Sequence, residues 1–430
     1  MTVRLIAAGD LHIGAVSTRL PDAADRDDLS AAAAWLRIVD VAIRHKVDAV
    51  LIAGDLIDRQ NHYFEAVEAL AKGLRKLDQA GIETVAIAGN HDAEVLREVA
   101  RTQRIQDFTR FRVLGLAGWE SASLAAGLRL HAWSFPKSEH AENPFEKFAS
   151  LGDTEPGAVG LVHGDVDASG GRYAPFPKRS LPPGNAVWIA GHLHRPQFDA
   201  GSRLLVPGSP QALAPDERGE HGVWRIDLEG GVMSGEPEFV PISSVRYDQV
   251  TVELKETDDR ADIRPAIDAA LRQNLAVWRQ QCPALRTSWA CLRFTGTTRW
   301  VEDVASIARL DDEPITAQDG DATITVGAAL ADVNAPIDLH EIARGSDVPA
   351  VLARLIVAID ADRLLPEHAA LLNKLNEGAA RIERQAVFAR ARAGTAAEST
   401  APGDRDMRTV ARAQAERLLA RLIAAPGRTT

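Results

Sequence analysis

Five short clusters of acid, amide and imidazole residues punctuate the chain: Asp10-Leu11-His12, Asp55-Leu56-Ile57-Asp58, Asn90-His91-Asp92, His163, and His192-Leu193-His194. Carboxylate, amide oxygen and imidazole are borderline-hard donors, suited to manganese, iron or zinc and poorly suited to an ion that prefers thiolate. A lone Asp-x-His carries little weight, because such a tripeptide arises by chance and an Asp in a turn serves to cap backbone N–H groups. Five clusters in order, each closing a predicted strand, point to a metal centre. Two ions need one shared ligand, and Asp55 is the natural bridge.

The runs VRLIAAGD, DAVLIAGD, ETVAIAGN, GAVGLVH and AVWIAGH each read as a buried strand that ends on a candidate ligand. Alternation along a strand points Asp10 and His12 the same way, so that a carboxylate and an imidazole reach one ion, and His192 and His194 repeat the device. Glycines at positions 9, 54, 89 and 191 precede ligands where the backbone must turn sharply and another segment approaches. Residues 28–46, with Trp35, Ile38, Val39, Ala42 and Ile43 at helical spacing, and residues 64–80 read as helices before the second and third strands. Buried strands alternating with helices predict an α/β fold, a layered sheet sandwiched by helices with its site beyond the carboxyl ends of the strands.

The texture changes around Pro241, which sets the expected catalytic domain at 1–243. Residues 244–338 read as a small α+β unit, with strands at 247–254, 288–296 and 322–327, a helix at 263–280 and another near Val301. Residues 339–430 form a helical C-terminal region, with linker composition at 393–404. A last helix follows at 405–424, whose Met407, Val410, Leu418, Leu419, Leu422 and Ile423 face either the body of the protein or a partner helix.

The net charge of −11 excludes a protein that coats nucleic acid through bulk electrostatics, so any such contact must be local. From Val351 onward basic residues outnumber acidic ones. Cys282 and Cys291 are the two cysteines and form no CxxC pattern, which argues against a disulfide framework or zinc knuckle and suits a reducing cytoplasm. No run reaches the roughly 18 apolar residues of a membrane helix, and the start lacks a basic segment followed by a long apolar one. The expectation is an unprocessed cytoplasmic chain without a membrane contact.

The pattern DxH, GDxxD, GNH[DE], H and GHxH is complete here and resembles the calcineurin-like metallophosphoesterases. The resemblance implies a layered α/β/β/α sandwich in which Asp10, His12, Asp55 and His194 hold one metal and Asp55, Asn90, His163 and His192 hold the other. Two such ions, about 4 Å apart, clamp phosphate oxygens and activate a water for in-line attack. His91 would be the catalytic histidine that protonates the leaving oxygen, with Asp92 either orienting it or capping the helix that follows. His45, His62, His131, His140, His221, His340 and His368 lie outside the pattern and read as structural. His62 is the one among them nearest the site in sequence, and Arg59 is a candidate phosphate contact.

The stretches VDAVLIAGDLID, VAIAGNHD, IAGHLHRPQ, PGSPQ and EHGVWRIDLE further resemble the SbcD-type DNA double-strand-break repair nucleases, and NPFEKF after WSFPKSEH has the look of their YhaO-like branch. This likeness covers residues 1–240, and more loosely 245–335, which would be a DNA-facing cap. It implies a metal-dependent DNA nuclease, exonuclease or endonuclease, using two divalent ions, manganese before iron or zinc. It also implies a homodimer, and a coiled-coil ATPase of the SMC-like type docked on the C-terminal helices. Asp58 stands where some members carry a histidine, so an exonuclease role tied to that histidine is in doubt, and a hydrogen bond within its loop is the simpler role. Two alternatives stand beside this reading. A small-molecule phosphodiesterase or phosphatase would show an HHPP-like block where the chain reads LVHGDV, or Gly where Gln60 follows Arg59. A noncatalytic scaffold protein would be expected to lose His91 or several ligands.

Overall fold

A computed structural model describes residues 2–20, 27–58, 63–99, 108–124, 126–151, 157–168, 170–311, 313–336, 338–366, parts of 368–377, and 404–424. Arg59, Gln60, His62 and residues 393–403 of the expected linker lie outside the described residues.

Four short strands open the fold: β1 (Thr2–Ala8), β2 (Ala49–Ala53), β3 (Glu83–Ile87) and β4 (Phe111–Val113). Six more follow, β5 (Glu120–Ser123), β6 (Arg129–Ala132), β7 (Val159–His163), β8 (Val187–Gly191), β9 (Gln197–Asp199) and β10 (Leu204–Val206). The chain then returns with β11 (Gly222–Glu229), β12 (Val232–Met233) and β13 (Glu238–Pro241). One sheet runs β12-β11-β1-β2-β3-β4 with β13 on β11, and the second runs β5-β6-β7-β8-β10-β9. Strands β1 to β4 pair in parallel, and so do β6, β7, β8 and β10, so the carboxyl ends of β1, β2, β3, β7 and β8 gather within two parallel blocks.

These strands are apolar on both faces because each face is covered. Leu5, Ala7, Leu51, Ala53, Val85 and Ile87 of the first sheet meet Leu130, Val159, Leu161, Val187, Ile189 and Leu205 of the second in one core. The other face of the first sheet, with Ile6, Ala8, Val50, Ile52 and Ala86, packs on helices α1 (Ala31–His45) and α2 (Tyr63–Gln79). Helix α1 is built as its sequence predicts: Ser30 caps it by accepting from Ala33 N–H at 3.1 Å, and Trp35, Ile38, Val39 and Ala42 form the buried stripe. The outer face of the second sheet is covered by Trp133, Phe145, Phe148 and Phe176, partly from a 3₁₀ turn over Pro144–Leu151. The layers therefore run helix, sheet, sheet, then this aromatic cover.

After a short helix, α3 (Val95–Val99), the next helices lie beyond the two sheets. Strands β14 (Val245–Leu254), β15 (Thr287–Thr297), β16 (Thr316–Asp319) and β17 (Ala322–Asn334) form a third sheet in the order β14-β15-β17-β16. Helix α4 (Ile263–Gln281) buries Ile263, Ile267, Leu271, Leu275 and Trp278 along one stripe, and α5 (Val301–Ala308) lies between β15 and β16 in sequence. Strand β16 is an addition to what the sequence suggested.

The chain divides into two compact units, one of residues 1–253, 259–295 and 302–332, the other of 254–258, 296–301 and 333–430. The second contains α6 (Leu339–Ile342), α7 (Val348–Asp360) and α8 (Asp404–Ala424). Leu355 and Ile356 of α7 pack with Ala415 and Leu419 of α8, and Arg412 clasps Asp360 at 2.6 and 3.1 Å. The final helix thus packs on its own chain through one face while Val410, Leu418 and Ile423 remain exposed.

Candidate metal centre

All five ligand blocks come together at the carboxyl ends of their strands. Donor atoms of Asp10, His12 and His194 lie within 4.8 Å of one another, as do those of Asp10, Asp55 and His163. His12 Nε2 is 3.3 Å from His194 Nε2 and 4.0 Å from Asp55 Oδ2. Asn90 Oδ1 lies 2.9 Å from His163 Nε2 and 3.1 Å from His192 Nδ1, and His163 Nε2 is 3.5 Å from Asp55 Oδ2. The donors thus fall into two groups, His12 with His194 and His163 with Asn90 and His192, and Asp55 reaches both.

The local backbone differs from the strand alternation expected for Asp10 and His12 and for His192 and His194. Strand β1 ends at Ala8 and β8 at Gly191, and Asp10, His12, Asp55 and His192 have φ of 50°, 47°, 49° and 102°. Left-handed backbone is costly for residues with a Cβ, and it persists here because neighbouring loops bind each other. Asp10 N–H donates to Gly54 O at 3.1 Å, and His12 N–H to Asp55 O at 2.9 Å. Gly54 itself has φ of +92°, and a Cβ there would run into the His163 ring, so this glycine is required by both turn and close approach.

Depth varies across the centre. Asp10, Asp55, His12 and His163 are buried, Asn90, His192 and His194 are half-buried, and His91 is exposed. The His91 ring sits edge-on to His12 with centroids 4.9 Å apart, and its backbone N–H donates to Asp55 Oδ1 at 2.8 Å. Tyr173 packs on the His192 ring at 5.1 Å.

Asp92 has a different place from the one expected beside His91. Its fully buried carboxylate accepts from Gly89 N–H at 2.7 Å, Leu56 N–H at 2.7 Å and Ile57 N–H at 3.3 Å. These bonds lash the Asp55 loop to the Asn90 loop, and neither an orienting bond to the His91 ring nor a cap on α3 is among them. Asp58 ties its loop through its own backbone, N–H to Ile13 O at 3.0 Å.

Electrostatics favour a cation here. Burial pushes the Asp10 carboxyl up to about 8, against the pull of His194, and pushes Asp55 up to about 6 and Asp92 up to about 7. Burial drives His163 down to about 3 and His192 down to about 4, and it holds His12 well below the usual imidazole range. His163 is therefore neutral, and its Nδ1–H is committed to Ala53 O at 2.9 Å. The lone pair on Nε2 then faces Asp55 Oδ2, an acceptor like itself, an arrangement that a divalent ion between them satisfies. The residues present fit a dinuclear metal centre.

His194 behaves differently. Burial works to lower it, but its bond to Glu217 and the charges of Asp10, Glu217 and Asp55 outweigh burial and push it up to about 9. Nδ1 lies 2.6 Å from Glu217 Oε1. Neither Glu217 nor the Ala53 carbonyl was singled out by sequence reasoning. An acid 23 residues beyond its histidine has no spacing signal, and a main-chain carbonyl has none at all. The histidines expected to be structural include His131, bound to Ser121 Oγ at 2.8 Å, and His221, which is bound to Ser209 Oγ at 2.9 Å and to Glu217 O at 3.2 Å.

Residues 3–196 match the calcineurin-like phosphoesterase family. Metallophosphoesterase YhaO of Bacillus subtilis is 27% identical over 265 residues, 58% of this chain and 63% of that protein, so this match spans less than two thirds of the relative. The DNA double-strand break repair protein Mre11 of Aeropyrum pernix is 27% identical over 310 residues, 66% of this chain and 70% of that one. A component of the SbcCD nuclease of Rhodobacter capsulatus is 27% identical over 291 residues, 56% and 69% respectively. The donor groups that gather at the strand ends, from Asp10 to His194, all lie within the residues that match the calcineurin-like phosphoesterase family.

Proposed function

We propose that the chain is a metal-dependent DNA repair nuclease that cuts phosphodiester bonds at a dinuclear centre, with manganese as its ion. Asp10, His12, Asp55 and His194 hold the first ion, and Asp55, Asn90, His163 and His192 hold the second. The observation that carries this reading is a buried donor set shared through Asp55 beneath an exposed His91. Two divalent ions would supply charge for the phosphate oxygens and a water acidic enough to attack phosphorus. His91, anchored to Asp55 through its backbone, donates the proton that the leaving oxygen takes up. The donor groups are held by their hydrogen bonds before substrate arrives, so little reorganisation is needed in the transition state.

DNA as substrate is supported by the likeness to Mre11, a double-strand break repair protein, and to the SbcCD nuclease. In this reading residues 1–243 carry the chemistry, 244–338 cap the DNA, and 339–430 bind an SMC-like ATPase, with the chain working as a cytoplasmic homodimer. The exposed Val410, Leu418 and Ile423 of α8 support a partner there, and no described helix is long and apolar enough to cross a membrane.

The test is manganese-dependent cleavage of linear duplex and single-stranded DNA beside bis-p-nitrophenyl phosphate and cyclic AMP, with Asp55→Ala as control. DNA degradation that vanishes in the control is expected. Turnover of the small esters alone would move the function to a small-molecule phosphodiesterase, and no turnover of any substrate would favour a scaffold.

A further inference from the structure

We infer that Glu217 is a positioning residue for the first half of the metal centre: it holds His194 by its Nδ1–H and so turns Nε2 toward the ion. The inference rests on the proposed role of His194 as a ligand. A ligating imidazole needs its second nitrogen fixed, because the partner of that nitrogen selects both tautomer and ring orientation. His163 has the Ala53 carbonyl for this purpose, within 2.9 Å on a buried strand. His194 has Glu217 Oε1 at 2.6 Å instead, while its Nε2 faces His12 Nε2 at 3.3 Å.

Packing alone does not hold this ring. His194 and Glu217 border a cavity of about 610 Å³, so the imidazole has room to turn once the bond is gone. The carboxylate, by contrast, is itself held. Its Oε2 accepts from Leu213 N–H at 2.7 Å, and the Glu217 carbonyl lies 3.2 Å from His221 Nε2. With Nε2–H given to that carbonyl, His221 Nδ1 accepts from the Ser209 hydroxyl at 2.9 Å, and Ser209 N–H returns to the His194 carbonyl at 3.0 Å. The circuit closes on His194 through Gly208, whose φ is +73° and where a Cβ would lie 2.7 Å from both His194 O and Pro196 N. Gly208, Ser209, Leu213, Glu217 and His221 thereby brace one ligand, although none of them is itself a ligand.

The experiment is titration of the metal-free full-length protein with manganese, by calorimetry and by electron paramagnetic resonance, for wild type, His194→Ala, Glu217→Ala and Glu217→Gln. Wild type should bind two ions and show a spin-coupled pair, and His194→Ala should lose one of them. Glu217→Ala should weaken that same ion by about 10- to 100-fold, leave the other unchanged, and lose the coupled signal at stoichiometric metal. Glu217→Gln, whose amide oxygen still accepts from Nδ1–H, should recover most of the affinity. Wild-type binding of both ions by Glu217→Ala, with one lost in His194→Ala, would overturn the positioning role. Wild-type binding by His194→Ala would instead sink the ligand assignment on which it rests. Thermal unfolding of the metal-free variants reports folding. Should Glu217→Ala not fold, Glu217→Asp, one methylene short of His194, must show the same selective weakening or the inference fails.

Discussion

The two halves of the centre present the same kind of ligand in opposite proton states. His163 is wholly buried, tied to a strand carbonyl, and driven down to about 3; His194 is half-buried, tied to a carboxylate, and pushed up to about 9. The scaffold of β2 and β7 builds one half, so its imidazole is neutral before any ion arrives. His194 of the other half is held by Glu217 from a later loop, and its imidazole carries a proton that a metal must displace. A shared donor set should therefore give two different affinities, one set by burial and one by competition with protons.

The largest effect should come from the residue both halves share. Asp55→Ala removes the proposed bridge, the acceptor for His91 N–H, and one of the two carboxylates facing His163. Both ions and all turnover should be lost, as measured by metal content after dialysis and by cleavage of bis-p-nitrophenyl phosphate. Retention of one tightly held ion would show that the halves are independent, and the comparison would then lose its common element.

Next in size is a change that removes no donor from either half. His91→Ala should lower turnover by about 10²–10⁴, the range of a lost general acid, while metal content stays at two ions per chain. The ring is exposed and its anchoring bond is made by the backbone, so removal leaves the donor geometry intact. Cleavage at the wild-type rate would remove His91 from the chemistry.

Asp92→Ala separates the scaffold from the chemistry. Its carboxylate satisfies three buried N–H groups, of Gly89, Leu56 and Ile57, in loops that serve both halves. Leaving them unpaired should cost roughly 2–6 kcal/mol of stability, from about 1–3 kcal/mol for each of the two bonds at 2.7 Å. Denaturant unfolding of the metal-free protein reads this directly. An unchanged midpoint with reduced turnover would return Asp92 to the orienting role first expected of it.

The ligand blocks were legible because each joins two strong signals, a buried β-branched run and a polar cluster at its end. Helix α1 was legible for a similar reason, from Trp35, Ile38, Val39 and Ala42. What escaped was set by contacts distant in sequence. The left-handed backbone at Asp10 and His12 comes from hydrogen bonds to Gly54 and Asp55, more than forty residues away, which no local pattern encodes. Alternation therefore named residues that do come together, but through a different geometry. Strand β16, Thr-Ala-Gln-Asp at a sheet edge, has too weak an apolar pattern to announce itself. Glu217 was invisible for the opposite reason: an acid in a charged run looks like solvated surface until the loop that carries it is folded back onto His194.

The smallest effect tests the comparison most directly, because it is a slope. Binding the first ion must displace the proton of His194, pushed up to about 9, and that of Asp10, pushed up to about 8. Its apparent affinity should therefore rise between about pH 6.5 and 8.5, by about tenfold per pH unit for each proton displaced. The second ion meets His163 and His192 already neutral, since they titrate at about 3 and about 4, so its affinity should be nearly flat over the same window. Below the value of Asp55, about 6, both should weaken together, because the bridge takes up a proton. Manganese calorimetry across that window, in two buffers of different ionisation enthalpy, counts the protons released by each ion. One sloped and one flat binding event keep the two halves distinct. Two equal slopes would mean that the proton belongs to the whole cluster, and that the contrast between a backbone-held and a carboxylate-held imidazole has no consequence for metal binding.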